Sequence, residues 1–88
     1  MRKFKLTLAN GTKLHIHPPT VRQYYDKYLS AGNDEDICGT IAEMVSRNDE
    51  GITFTADDIL DKFTVDDFSG FTEDFPEWVR KEKESDPN

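Results

Sequence analysis

The sequence predicts an α+β fold in which an N-terminal β-hairpin packs against three to four helices. Three features carry that expectation. Apolar and polar residues alternate on either side of Asn10-Gly11, apolar stripes recur at helical spacing from Val21 onward, and threonine-led capping signals precede two later apolar runs.

The hairpin comes first. Phe4, Leu6 and Leu8 alternate with Lys3, Lys5 and Thr7, and Leu14 and Ile16 alternate with Lys13, His15 and His17. A period of two joined by a dipeptide that tolerates positive φ is a strong hairpin signal. Two strands alone are marginal in water, so the face carrying Phe4, Leu6, Leu8, Leu14 and Ile16 needs a cover. Pro18-Pro19 stops the second strand, and Thr20 suits a helix N-cap. Val21, Tyr24, Tyr25, Tyr28 and Leu29 then follow at the spacing of one amphipathic helical face. Gly32-Asn33 ends that helix. A second helix begins near Asp34, with Ile37, Cys38, Ile41, Met44 and Val45 as its stripe, and stops between Arg47 and Gly51.

After a short extended piece, Ile52-Thr53-Phe54, the run Thr55-Ala-Asp-Asp58 resembles a capping box and opens a helix with Ile59, Leu60 and Phe63. Thr64-Val-Asp-Asp67 repeats the device. Phe68, Phe71, Phe75 and Trp78 share one helical face, across which Pro76 predicts a kink or a new start. Residues 81–88 carry no apolar side chain. The expected organisation is a single domain over residues 1–80 and a flexible polar tail over 81–88.

Eighty-eight residues, 35% hydrophobic and 33% charged, make one domain at most. Such a chain buries only roughly 60–65% of its unfolded surface, so a partner or a second copy would add useful burial. The net charge of −7 is unevenly placed. Residues 1–32 hold six basic residues and one acid, a balance of +5, whereas residues 33–88 hold five basic residues and seventeen acids, a balance of −12. The acidic part repels phosphate, which argues against nucleic acid as a partner. A single cysteine, Cys38, permits no internal disulfide and points to the cytoplasm. No apolar run approaches the ~20 residues of a membrane span, and no apolar stretch of signal-peptide type follows the basic start.

Several patterns suggest chemistry and are better read as structure. Ser46–Asp58 looks like a calcium loop, but with Gly51 at the sixth position the first ligand is Ser46, the eighth residue is Thr53, and the twelfth is Asp57 instead of Glu. His15 and His17 share a strand face without a third ligand nearby in sequence, and Lys13 on that face opposes a cation. The acid pairs Asp57-Asp58, Asp66-Asp67 and Glu73-Asp74 diverge by about 100° on a helix, and most sit where negative charge favours the helix dipole. Cys38 lies on an apolar stripe and reads as core. No metal, cofactor or catalytic residue is expected, and the chain is not expected to be an enzyme. Phe63, Phe68 and Phe71 read mainly as core, whereas Phe75 and Trp78, flanking Pro76, are the aromatics expected at the surface. Phe71, Phe75 and Trp78 are the candidate protein-binding residues, since aromatic side chains anchor interfaces.

The run Phe4-Lys-Leu-Thr-Leu-Ala-Asn-Gly-Thr-Lys-Leu14, followed by Pro18-Pro19-Thr20-Val21, resembles the small tail assembly chaperones of long-tailed bacteriophages. Ile52-Thr-Phe-Thr-Ala-Asp-Asp-Ile-Leu60 and Val65-Asp-Asp-Phe-Ser-Gly-Phe71 extend the resemblance, which covers most of residues 3–80. It implies a protein of the host cytoplasm that binds the tape-measure protein, keeps it soluble, helps tail-tube subunits polymerise around it, and is absent from the mature virion. Many members are made in two lengths by a programmed frameshift, and the polar end of this chain suits a short form. The charge pattern also accommodates an acidic phage or plasmid effector that binds and inhibits a host protein. The opposed charges of the two halves predict weak self-association, weakened by salt.

One expectation follows directly. Titration calorimetry with calcium or zinc should detect no stoichiometric binding of micromolar affinity, and such binding to either ion would overturn the reading of Ser46–Asp58 and of the two histidines.

Overall fold

A computed structural model describes residues 2–85. It contains the hairpin β1 (Phe4–Thr7) and β2 (Lys13–Ile16), followed by four helices among the described residues: α1 (Arg22–Tyr28), α2 (Asp34–Val45), α3 (Ala56–Lys62) and α4 (Val65–Ser85). The strands pair antiparallel, Phe4 with Ile16 and Leu6 with Leu14, so the alternation puts one row of apolar side chains on the helices. The turn is a three-residue loop. Gly11 N–H donates to the Leu8 carbonyl at 2.9 Å, and Leu8 N–H donates to the Thr12 carbonyl at 2.8 Å. Gly11 adopts φ 92°, whereas Asn10 does not enter the positive region and instead accepts the Thr12 N–H on its side chain. Only the glycine meets the backbone demand of this turn.

The cover for the hairpin comes from α2 and α4, with α1 packed on α2. Phe71 and Phe75 stack at 4.7 Å between centroids, and Phe4 meets Phe75 edge-on at 5.2 Å. Tyr24 and Tyr28 close on the other side, Tyr28 edge-on to Phe71 at 6.1 Å and Tyr24 to Phe75 at 6.0 Å. Ile41, Met44 and Val45 of α2 complete the interior with Leu14 and Ile16.

Local hydrogen bonding sets the helix starts. Thr20 Oγ1 accepts from Gln23 N–H while Gln23 Oε1 accepts from Thr20 N–H. Asn33 caps α2 by accepting from Asp36 N–H. Thr55 with Asp58, and Thr64 with Asp67, form the two reciprocal boxes that the sequence announces. Asp67 does more. Its second carboxylate oxygen accepts the Ala9 N–H at 2.8 Å, so buried Asp67 fastens the start of α4 to the hairpin turn.

Four expectations need correction. First, α1 is wound as a π-helix, with Leu29 N–H donating to the Tyr24 carbonyl five residues back. The wider turn divides the supposed single stripe: Tyr24 and Tyr28 face inward, while Val21, Tyr25 and Leu29 face solvent. Second, of the two outcomes expected at Pro76 the new helix start does not occur, since α4 runs through it as one element. Proline removes one bond to the preceding turn, but Phe71, Phe75 and Val79 bury on both sides of it and hold the two halves against one core. Third, α4 extends to Ser85 and so takes in residues 81–85 of the expected tail as helix. Glu82 accepts Arg2 N–H, Lys83 donates to Tyr25 Oη at 2.7 Å, and Glu84 receives Arg80 at 2.8 Å. Residues 86–88 of the expected tail lie outside the described residues. Fourth, Phe75 is as fully buried as Phe71, both 0% exposed, and only Trp78 of the three candidates is half-buried. The reason is Phe4: it fills the space beside Phe75 and Trp78 from the far end of the chain.

Two substitutions test this packing. Gly11→Val should lower stability by ~1 kcal/mol or more, since a β-branched residue resists positive φ, and an unchanged denaturation midpoint would rule out the turn. Phe75→Ala should cost about 3–5 kcal/mol, clearly more than Trp78→Ala. Equal or reversed losses in urea unfolding would contradict the burial order.

Candidate protein-binding surface

The described residues offer no group of three His, Cys, Asp or Glu side chains arranged to hold a metal. The loop that looks like a calcium site is turned toward the hairpin. Buried Asn48 donates to the Val45 and Ile52 carbonyls and accepts Ile52 N–H, which pins the turn at Gly51, itself at φ 71°. Asp49 accepts from Lys3 Nζ at 2.8 Å and lies 2.8 Å from His17 Nε2. These contacts, the lysine's first, hold its carboxyl below the usual carboxylate range. Glu50 receives His15 N–H at 2.8 Å and lies 2.6 Å from His15 Nδ1, with the same effect on its carboxyl. The two histidines and the two acids therefore fasten the 47–50 segment along β2.

Cys38 is buried, and that burial pushes its thiol up, away from the thiolate that nucleophilic chemistry needs. Burial likewise pushes Tyr28 up to about 12, so its hydroxyl stays neutral. Neither group has the environment of an activated nucleophile.

The exposed apolar side chains are more informative. Val21, Tyr25 and Leu29 are 75%, 42% and 55% exposed, Tyr25 within α1 and the other two capping its ends. Beside them, α1 and α4 enclose an open groove of about 420 Å³ floored by Tyr24, Pro76 and Val79. Arg80, Lys83 and Glu84 form its rim. Lys83 reaches across to the Tyr25 hydroxyl, its ammonium 5.4 Å from the ring centroid, and so sets the width of the groove at one end. Arg80 is tied to Glu77 and Glu84 along α4, which keeps its guanidinium off the floor.

A second apolar area lies where α3 meets the start of α4. Leu60 and Val65 stand exposed there over half-buried Phe63 and Phe68, around a depression of about 240 Å³. Of the candidate residues Phe71, Phe75 and Trp78, the first two are fully buried and present no surface, Phe75 packing behind Tyr24 of the groove floor. Trp78 packs on Phe4 and Phe75 with part of its ring outside. Sequence reading missed Val21, Tyr25 and Leu29 as surface residues because it assigned them an α-helical phase. No local signal separates them from Tyr24 and Tyr28, since adjacent residues such as Met44 and Val45 of α2 both bury. No helix among the described residues is long and apolar enough to cross a membrane. Compared with models of known families, with curated proteins and with solved structures, the chain matches none of them.

Proposed function

We propose that this chain is a tail assembly chaperone of the kind found in long-tailed bacteriophages, in its short form. In this reading it acts in the host cytoplasm, binds the tape-measure protein and promotes tail-tube assembly. It leaves before the virion is complete and uses no cofactor or catalytic centre. The resemblance of residues 3–80 suggests the family, and one observation carries the mechanism: the exposed stripe Val21–Tyr25–Leu29 beside the α1–α4 groove. A helix with an apolar face fits between two helices and anchors through side chains one turn apart. A tape-measure protein, long and helical, offers such faces in number. The acidic balance of residues 33–88 keeps the loaded complex soluble.

The acidic effector remains the second reading, favoured by one feature. Between α1 and α2 lies an open depression of about 450 Å³ whose lining includes Asp26, Glu35, Asp36 and Glu43. A basic host surface seated there would bind with steep salt dependence, whereas the helix groove would bind with little.

The discriminating experiment pairs binding with stability. Tyr25→Ala combined with Leu29→Ser should weaken co-purification with a tape-measure protein by ~2 kcal/mol or more if these side chains are central anchors. Exposed Leu29 should move folding stability by no more than ~0.5 kcal/mol, and Tyr25, which meets Lys83 and Tyr24, by about 1 kcal/mol. Undiminished co-purification would remove the groove as the client site. Loss of binding on raising salt, with these variants unaffected, would favour the effector.

A further inference from the structure

The two edges of the hairpin are treated differently. The outer edge of β2 is closed: His17 N–H donates to the Arg47 carbonyl at 2.7 Å, Asp49 N–H donates to the His15 carbonyl at 3.1 Å, and His15 N–H donates to Glu50 Oε1 at 2.8 Å. Those bonds also fix the phase of the ladder. Successive pairs of an antiparallel ladder alternate between bonded and non-bonded. His15 spends both backbone groups on the 49–50 segment, so its pairing with Lys5 is a non-bonded one. Leu8 N–H, which donates to Thr12, sets the same phase from the turn. It follows that Lys5 and Thr7 direct their N–H and C=O groups away from β2, to the outer side of β1.

That side is fastened at the turn, where Ala9 N–H goes to Asp67 Oδ1 of α4; ahead of β1, Arg2 N–H goes to Glu82 Oε1 of the same helix. Between them the outward N–H and C=O groups of Lys5 and Thr7 meet no partner among the described residues, and both side chains are exposed. Unpaired groups in a row form a template for one more strand.

Charge selects the occupant. The solvent face of the hairpin carries Lys5 and Lys13, exposed and without an ion pair among the described residues, whereas neighbouring Lys3 is held by Asp49. A second copy of β1 would bring another Lys3–Lys5 run against this one, and like charges on facing strands repel. A segment with acidic residues at alternate positions would instead meet Lys5 across the new strand pair, with Lys13 one strand further in, on β2, adding to the positive field. Asp67 and Glu82, the acids nearest the edge, already accept backbone donors and bracket the stretch without entering it. We propose that the free edge of β1 accepts an extended, acidic segment of a partner protein as a third strand of the sheet. This surface shares no residue with the α1–α4 groove, and the inference stands whether or not the chaperone reading does.

The test uses the full chain and a peptide of about six residues alternating Glu with Val, the length of an ordinary strand. Amide hydrogen exchange is followed residue by residue. At saturating peptide the Lys5 and Thr7 amides should slow by about tenfold or more, while the exposed amides of other loops keep their rates. Lys5→Pro and Thr7→Pro each delete one outward N–H, a change edge strands tolerate, and each should abolish the effect. If a proline variant does not fold, the exchange measurement on the unmodified chain decides alone. No slowing at millimolar peptide would overturn the proposal, as would equal slowing by a Lys–Val peptide or undiminished binding by a folded proline variant. Protection of Lys5 and Thr7 that appears without peptide and grows with protein concentration would also overturn it, since the edge would then belong to a second copy.

Discussion

Everything in this fold answers to the apolar face of a two-stranded sheet. Two short strands cannot hold themselves together in water, and the row Phe4, Leu6, Leu8, Leu14 and Ile16 must lose its contact with solvent for the hairpin to persist. The chain meets this demand from both sides. From β2 it proceeds through Pro18-Pro19 into α1 and then α2, whose Ile41, Met44 and Val45 cover one half. The other half waits for α4. Phe4, the first buried residue, sits among Phe71, Phe75 and Trp78, so the most consequential contact joins the two ends of the sequence. Asp67 secures that arrangement from the opposite end of α4, because one carboxylate closes the helix start and holds the hairpin turn together.

What could be read in the sequence divides along the same line. The hairpin, the three capping pairs led by Thr20, Thr55 and Thr64, and the stripe of α2 are local patterns, each decided by residues a few positions apart. The surface was harder to read. Phe75 and Trp78 resemble exposed aromatics at the end of a chain until Phe4 is placed against them, and nothing near them in sequence announces Phe4. The π-helical winding of α1 escaped for a related reason: a helical phase is inferred from spacing, and spacing alone does not say how many residues complete a turn. The helical run through residues 81–85 is held by partners from the start of the chain and from α1, Arg2 and Tyr25, again beyond the reach of local pattern.

The opposed charges of the two halves take on a different meaning once the chain is folded. Lys3 with Asp49, His15 with Glu50, His17 with Asp49, and Lys27 with Glu43 all join the basic first part to the acidic remainder within one molecule. The contrast therefore serves in part as an internal fastening of the 47–50 segment and of α1 to α2. Exposed pairs of this kind add little each, but they fix which loop lies along which strand. The charge left over is not evenly spread. Acids dominate the α1–α2 depression, and Lys5 and Lys13, without an ion pair among the described residues, mark the solvent face of the hairpin.

The union of Phe4 with Trp78 also dictates an order of events during synthesis. The hairpin is synthesised before α4, yet half of the cover for its apolar face comes from that later helix. Until residues 71–79 emerge, the nascent strands carry a greasy face and an open edge into a crowded solution, the combination most prone to misassociation. A long-range closure of this kind also slows folding relative to a helical bundle of equal size. The ribosome-bound intermediate, more than the finished domain, is thus the state in which this protein would itself depend on help.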